Sequence, residues 1–276
     1  MLHLSQIFVY PVKSLRGIAL SEAVVEPRGL AHDRRWMLVD ADGMFFTQRE
    51  FPEMTLLTTA LSSTHLTIAH TVKPLGKLSV PLQVPADAPR QQVQIWDDTC
   101  SAVLVSAEAD AWLSEALGTF CRLVYMPDDV QRPTEARFRL PGDMVSFADG
   151  YPLLIAGQAS VDDLNAKLSE QIGINRFRPN LVFTGGTPFV EDHWRKIRIG
   201  EQAVFRGVKP CARCQLVTID PETAAVGKEP LRTLATYRRE GHKVLFGMNL
   251  CPASAPDERP VINVGDRLEV LESIHY

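Results

Sequence analysis

The sequence predicts a mainly β protein built of two β-rich units, of barrel or sandwich type, with a few short helices among the strands. Three observations carry this. Short runs rich in Val, Ile, Phe and Trp recur along the chain, punctuated by turn residues. Helical periodicity is confined to three segments. The 276 residues leave room for two domains or one large β domain, taking about 150 residues per domain as a soft prior.

The strands are expected in "QIFVYP", "RWMLVD", "LTIAH", "VQIW", "AVLVS", "NLVFTG", "RIGEQAVFRG", "QLVTID" and "RLEVLE". In "VDADGMFF", Asp42-Gly43 stands between two apolar runs and predicts a hairpin, because Gly tolerates the positive φ of a tight turn. The first helix is expected in "SAEADAWLSEALG", where Ala109, Trp112, Leu113 and Leu117 share a face, and the second in "SVDDLNAKLSEQIG", with Val161, Leu164, Leu168 and Ile172 inward. Ser160 followed by Asp163 reads as the N-cap of the second helix. The third, "EPLRTLATYRRE", has Pro230 near its first turn, where a missing N–H does no harm, and turns Leu231 and Leu234 inward. The most polar, turn-rich break is "MPDDVQRPTEARFRLPGD", and it divides the chain into units at residues 1–125 and 126–276.

Composition excludes several classes. Hydrophobic residues make up 45%, charged residues 22%, and the formal net charge is −4, the profile of an ordinary globular protein without strong affinity for polyanions. No module interleaving basic and aromatic residues predicts nucleic-acid binding, and no internal repeat or low-complexity segment is present. The start, "MLHLSQIFVYPVKSLRG", lacks the pattern of a secretion signal, and no window approaches ~18 apolar residues, so no membrane association and a cytoplasmic location are expected. Five cysteines without an export signal are expected to be reduced thiols.

Two of those cysteines, Cys211 and Cys214, lie in "GVKPCARCQLVTID". Structural zinc takes four ligands, and the partners would have to come from isolated Cys100, Cys121 or Cys251, or from seven scattered histidines. A redox pair wants its first cysteine at a helix N-terminus, yet "QLVTID" follows with strand-like alternation. By themselves the two read as buried or half-buried structural thiols. Other segments collect anion-binding groups at strand ends: Lys13 and Ser14 in "YPVKSLRG", Arg34 in "HDRRWMLVD", Arg178 and Asn180 in "NRFRPNLVF". Guanidinium, ammonium and hydroxyl groups satisfy several phosphate oxygens together. Singly, each reads equally as a solvated surface residue.

Taken in order, "YPVKSLRG", "GLAHDRRWMLVDADGMFFTQRE", "NRFRPNLVF" and "KPCARCQLVTIDPETA" resemble the signature segments of MOSC proteins of the amidoxime-reducing type, across nearly the whole chain. The resemblance implies an N-terminal MOSC β-barrel domain over residues 1–125 followed by a MOSC β-barrel domain. It further implies a molybdenum cofactor, Mo-molybdopterin, whose metal is held by the second cysteine of Cys-x-Arg-Cys, here Cys214. Carried over residue by residue, Lys13, Ser14, Arg34, Arg178 and Asn180 would grip the pterin and its phosphate, and Asn249 of "LFGMNL" would add a contact. Cys211, Ala212 and Arg213 would form the loop presenting Cys214. Soft thiolate suits such a metal, and Arg213 with Lys209 is expected to favour the ligating form. The segment "ADGYPLLI" departs from the small hydroxyl residues of relatives, leaving Asp149, Gly150 and Tyr151 to act through backbone atoms.

The implied activity is a two-electron reduction of small N-hydroxylated substrates (amidoximes, hydroxylamines, N-hydroxylated bases) to the amine or amidine plus water. His32 is a candidate proton donor. The chain carries neither the cysteine pattern of a plant-type ferredoxin nor a Gly-rich nicotinamide loop, so an external donor, a ferredoxin-type protein or flavin reductase, is implied. Two other functions stay open: a carrier of the cofactor or of sulfur without turnover, and a pyridoxal-phosphate protein with Lys13 as imine-forming lysine.

Overall fold

The computed structural model describes residues 1–85, 87–255 and 257–274. Its centre is a closed barrel of seven strands, reached in the order Leu153–Gly157, Leu181–Thr184, Leu2–Val9, Arg267–Ser273, Trp194–Ile199, Ala203–Arg213 and Lys243–Pro252. Pairing of Leu153 with Leu250 and Leu154 with Asn249 closes the ring. All neighbours are antiparallel except Leu153–Gly157 against Leu181–Thr184. That parallel pair needs a crossover, and the helix Gln158–Asn165 supplies it. Inward residues at period two, among them Ile7 and Val9, Leu181 and Phe183, Ile197 and Ile199, Ala203 and Phe205, and Met248 and Leu250, fill one apolar core, joined by Leu4 from beyond an irregularity in the first strand.

The strand Leu2–Val9 pairs with Leu181–Thr184 on one side and Arg267–Ser273 on the other, so the chain's start completes a barrel made otherwise by residues after 150. The division at 125/126 stays a proposal about units along the chain. In space the first strand lies beyond it.

The second β unit is open. A four-stranded sheet, in the order Trp36–Val39, Arg122–Tyr125, Asp98–Leu104 and Arg90–Ile95, shares a core with a three-stranded sheet of Leu57–Leu61, His65–His70 and Lys77–Pro81. The helix Ala107–Leu117 seals that core with Ala109, Leu113 and Ala116. Ser106 caps it, its hydroxyl accepting from the Ala109 N–H at 3.1 Å. Ser106→Ala is therefore expected to cost about 1 kcal/mol, measured as a shift in the urea midpoint at constant slope. The predicted turn forms at Asp42-Gly43: Gly43 has φ 86°, and a Cβ there would meet the Gln92 carbonyl oxygen at 2.5 Å. Asp40 Oδ1 ties the turn by accepting from the Asp42 and Met44 N–H groups.

The mainly β architecture is as the sequence predicts, and two local expectations are corrected. "QLVTID" is no strand: Gln215–Thr218 is a single 3-10 turn, closed by the Thr218 hydroxyl on the Gln215 carbonyl at 2.8 Å. Ser160 is no N-cap either. The second helix starts earlier, after Gly157, and the buried Ser160 hydroxyl donates to the Glu191 carboxylate while accepting from the Phe189 N–H at 2.8 Å. Leu168 and Ile172 pack against the same cluster from beyond that helix's end.

Candidate functional site

Strand ends converge at one mouth of the barrel. Lys13 and Ser14 follow the first strand, Arg178 and Asn180 precede Leu181–Thr184, residues 211 to 214 close the strand Ala203–Arg213, and Asn249 lies on Lys243–Pro252. The open unit adds Arg34, just before Trp36–Val39. These residues border a single cavity of about 190 Å³. All ten residues singled out from the sequence (Lys13, Ser14, Arg34, Arg178, Asn180, Cys211, Ala212, Arg213, Cys214 and Asn249) lie on its wall.

The backbone is strained there. Ser14, Arg34 and Arg178 have φ of 68°, 49° and 52°, in the left-handed region that costs a non-glycine residue roughly 1 kcal/mol or more. Each is held by specific bonds. The Ser14 carbonyl accepts from Gln48 Nε2 at 2.5 Å, and the Arg34 N–H donates to the Tyr10 carbonyl at 2.8 Å. The Arg178 N–H donates to Asn175 O at 3.1 Å.

Lys13 is buried, and its ammonium donates to the Phe147 carbonyl at 2.9 Å and to Asp149 Oδ1 at 2.5 Å. Burial pulls the Lys13 pKa down against the attraction of Asp149. For Asp149, burial alone would raise the carboxyl, but the Lys13 ammonium outweighs it, helped by a hydrogen bond from Trp96 Nε1 at 3.1 Å and by Arg49. The net effect holds that carboxyl well below the usual range. Within the chain, the Asp149 side chain is thus tied to Lys13 and Trp96.

Arg34 Nη1 donates to Asp33 Oδ2 at 2.6 Å and to Asn180 Oδ1 at 3.0 Å. Asn180 is buried and also accepts from the Leu154 N–H at 3.3 Å while donating to the Phe8 carbonyl at 3.2 Å. Its amide is committed to protein partners, so it positions Arg34 and the two flanking strands. Tyr10 underlies this cluster: the Arg34 and Arg178 guanidinium carbons stand 4.1 and 4.3 Å from its ring centroid, and burial pushes its phenol up to about 12. Arg178 makes no hydrogen bond or ion pair through its guanidinium among the described residues. Burial brings its pKa down to about 10, which leaves it cationic at neutral pH.

Cys214 sits half-buried where the strand ends, in extended backbone at the start of the 3-10 turn. Arg213 Nη1 donates to Cys211 Sγ at 3.1 Å and Nη2 to the Phe177 carbonyl at 2.7 Å. Lys209 pairs with Glu135. The expectation that these two cations support Cys214 is therefore corrected: among the described residues one serves Cys211 and the other a carboxylate across the loop. His32 is corrected as well. Its ring stacks beside Trp36, 6.5 Å between centroids, and is absent from the cavity wall. Sequence reasoning missed Arg49, which does line the cavity, and Trp96 beneath it. Arg49 stood in plain view within the segment "FFTQRE".

The chemistry of this wall suits a phosphate-bearing group with one soft metal ligand. Lys13, Arg34, Arg49, Arg178 and Arg213 face a single carboxylate, Asp149, among the described residues. Arg213 Nε and Arg49 Nε are buried without a partner. No cluster of three or more His, Cys, Asp or Glu residues fit for a metal ion occurs among the described residues. No helix there is long and apolar enough to cross a membrane.

Residues 1–120 match the MOSC N-terminal beta barrel domain and residues 142–269 match the MOSC domain. The chain is 32% identical over 244 residues to the mitochondrial amidoxime-reducing component 1 of Mus musculus, covering 85% of this chain and 71% of that protein. It is also 32% identical over 281 residues to the molybdenum cofactor sulfurase of Oryza sativa subsp. japonica, covering 90% of this chain but only 32% of that longer protein. Among solved structures, the YUAD protein from Bacillus subtilis superposes with a TM-score of 0.41 at 8% identity, covering 97% of this chain and 94% of that one. The name of one of these relatives, molybdenum cofactor sulfurase, ties that protein to the molybdenum cofactor. With both domain signatures in sequence and a relative matched over most of its length, this chain belongs to the MOSC family, as a MOSC N-terminal β-barrel domain joined to a MOSC domain.

Proposed function

We propose that this protein is a molybdenum-cofactor-dependent reductase of small N-hydroxylated compounds, with Cys214 as the protein ligand of molybdenum. The observation that carries the reading is convergence: the half-buried Cys214 thiol and a cation-rich wall border the same cavity. The likeness to an amidoxime-reducing component supports the choice of substrate class.

When bound, the cofactor would supply a redox-active metal that passes two electrons to the N–O bond. The substrate's N–OH, with two electrons and two protons, becomes N–H and water. The chain's own residues bind and orient. Arg178 would donate to phosphate oxygens with no rival acceptor. Arg34 is fixed by Asp33 and Asn180, and Lys13 by Asp149 and the Phe147 carbonyl, so both present charge from set positions rather than as mobile arms. Asn249 donates to the Lys209 carbonyl at 3.2 Å, which turns its amide oxygen into a fixed acceptor on the cavity wall. Electrons would come from an external ferredoxin-type protein or flavin reductase.

A second reading, cofactor or sulfur carriage without turnover, is favoured by the likeness to the cofactor sulfurase. The pyridoxal-phosphate reading has no observation in its favour, since the Lys13 amine is engaged by Asp149 and the Phe147 carbonyl. Donor dependence separates the first two. Cofactor-loaded protein is expected to convert benzamidoxime to benzamidine with reduced viologen, or with a flavin reductase plus ferredoxin-type partner, and to give none with NADH alone. Amidine is quantified by chromatography. Turnover with NADH alone would remove the partner requirement, and no turnover with viologen at confirmed molybdenum occupancy would leave the carrier.

A further inference from the structure

Arg49 is the one cation of the cavity wall that the family resemblance does not place there, and its surroundings are those of a waiting anion ligand. The turn that carries it is rigid. Glu50 and Phe51 N–H groups both donate to the Thr47 carbonyl, at 3.0 and 2.9 Å, and the Arg49 N–H donates to the Thr47 hydroxyl at 3.2 Å. The adjacent Gln48 is locked onto the carbonyl of Ser14, itself on the cavity wall. Arg49 is thereby fixed to the same frame as Lys13 and Ser14.

Its guanidinium has found a face but no acceptor. It lies 4.5 Å from the centroid of Trp96, a contact that uses none of its N–H donors. Nε is buried without a partner, and no ion pair or side-chain hydrogen bond of Arg49 occurs among the described residues. Three neighbouring arginines contrast with it, and of the arginines on the cavity wall only Arg178 shares its lack of a side-chain hydrogen bond among the described residues. Arg34 is held by Asp33 and Asn180, Arg213 by Cys211 and the Phe177 carbonyl, and Arg132 by Asp98 and the carbonyls of Ser146, Ala148 and Asp149. The nearest carboxylate, Asp149, is already engaged by Lys13 and by the Trp96 indole N–H. A half-buried guanidinium left with unused donors beside a cavity is stabilised by any oxyanion that enters.

We propose that Arg49, backed by Trp96, is an anion-binding residue of the cavity, taking a phosphate or carboxylate group on the side of the open β unit. That anion belongs either to the bound cofactor or to the substrate. The inference concerns the cavity of the proposed function, but its first arm does not depend on that function.

The first arm titrates inorganic pyrophosphate into the full chain purified without cofactor, by calorimetry and by tryptophan fluorescence. Wild type is expected to bind, with an emission change that Trp96→Phe removes while binding persists. Arg49→Gln should weaken binding about tenfold, and Arg49→Lys, which keeps the charge but loses the planar fork, should fall between. Should Arg49→Gln fold poorly by circular dichroism, the lysine variant alone decides. The second arm uses protein made in a cofactor-competent host. If the anion is the cofactor's, Arg49→Gln loses pterin while the KM ratio of 4-carboxybenzamidoxime to benzamidoxime is unchanged. If it is the substrate's, pterin is retained and that ratio rises about tenfold. Pyrophosphate affinity, pterin content and KM ratio all unchanged in folded Arg49→Gln would overturn the proposal. Pyrophosphate binding that depends on Arg49, in a chain that never acquires molybdenum, would sustain it and sink the reductase reading.

Discussion

Cys214→Ala is expected to abolish amidoxime reduction and to leave the purified protein without molybdenum, while Cys211→Ala keeps both at a reduced level. The asymmetry follows from position. Both thiols are half-buried and on the cavity wall, but the Cys211 sulfur already accepts from Arg213 at 3.1 Å, so its loss frees a guanidinium that still donates to the Phe177 carbonyl. That costs one charge-assisted hydrogen bond, about 1.5–3 kcal/mol at most and less for a weak sulfur acceptor. Loss of Cys214 would remove the proposed protein ligand, and no group of three or more metal-binding side chains among the described residues stands in for it. Molybdenum is measured by mass spectrometry on the same samples as the activity. Equal loss from the two variants would point to a disulfide or a shared metal and away from a single ligand.

Arg178→Ala is expected to lower the affinity of the cofactor-free protein for pyrophosphate by about ten- to a hundredfold, the equivalent of one charge-assisted interaction, without destabilising the fold. The second half distinguishes a binding residue from a structural one. The Arg178 guanidinium has no hydrogen bond to lose among the described residues, and burial depresses its pKa to about 10, so its charge carries a desolvation cost that no ion pair there offsets. An entering anion repairs this, and wild type should gain thermal stability as pyrophosphate is added, a gain that Arg178→Ala loses. Arg34→Ala should lower that affinity too, but at the expense of the fold. It removes the cation paired with the buried Asp33 carboxylate, leaving that group the Tyr10 N–H, and costs about 3–5 kcal/mol for a broken buried pair. Calorimetric titration and thermal melts of the two variants check the contrast.

Much of this was written in the sequence in residue-level form. Strands with period-two alternation were legible because one face of each is buried, as Ile7 and Val9 show. The ten candidate residues could be singled out because they sit in short segments at strand ends that resemble a known family, and one cavity wall gathers all of them. What was not legible depends on contacts between distant residues. Nothing in "LHLSQIFV" says that, besides its sequence neighbour at residues 18–20, it pairs with residues 181–184 and 267–268. "QLVTID" alternates like a strand, yet Thr218 bonds back to the Gln215 carbonyl and closes a turn instead. Ser160 looked like a cap because Ser competes well for that position, but the buried Glu191 carboxylate from 31 residues on claims its hydroxyl. Arg213 and Arg49 show the same limit on side chains. Sequence proximity linked Arg213 to Cys214, whereas geometry gives it to Cys211, and Arg49 acquires meaning only when Trp96 and Asp149 are seen around it.

The central claim is that Cys214 is the chain's ligand to a molybdenum centre in this cavity, and X-ray absorption at the molybdenum edge tests it most directly. Protein from a cofactor-competent host is compared as wild type, Cys211→Ser and Cys214→Ser, with pterin assayed in each. The account predicts a metal–sulfur shell in wild type and Cys211→Ser that is reduced by one sulfur, or lost with the metal, in Cys214→Ser alone. An unchanged sulfur shell in Cys214→Ser, or a wild-type protein that carries no molybdenum at all, would contradict it.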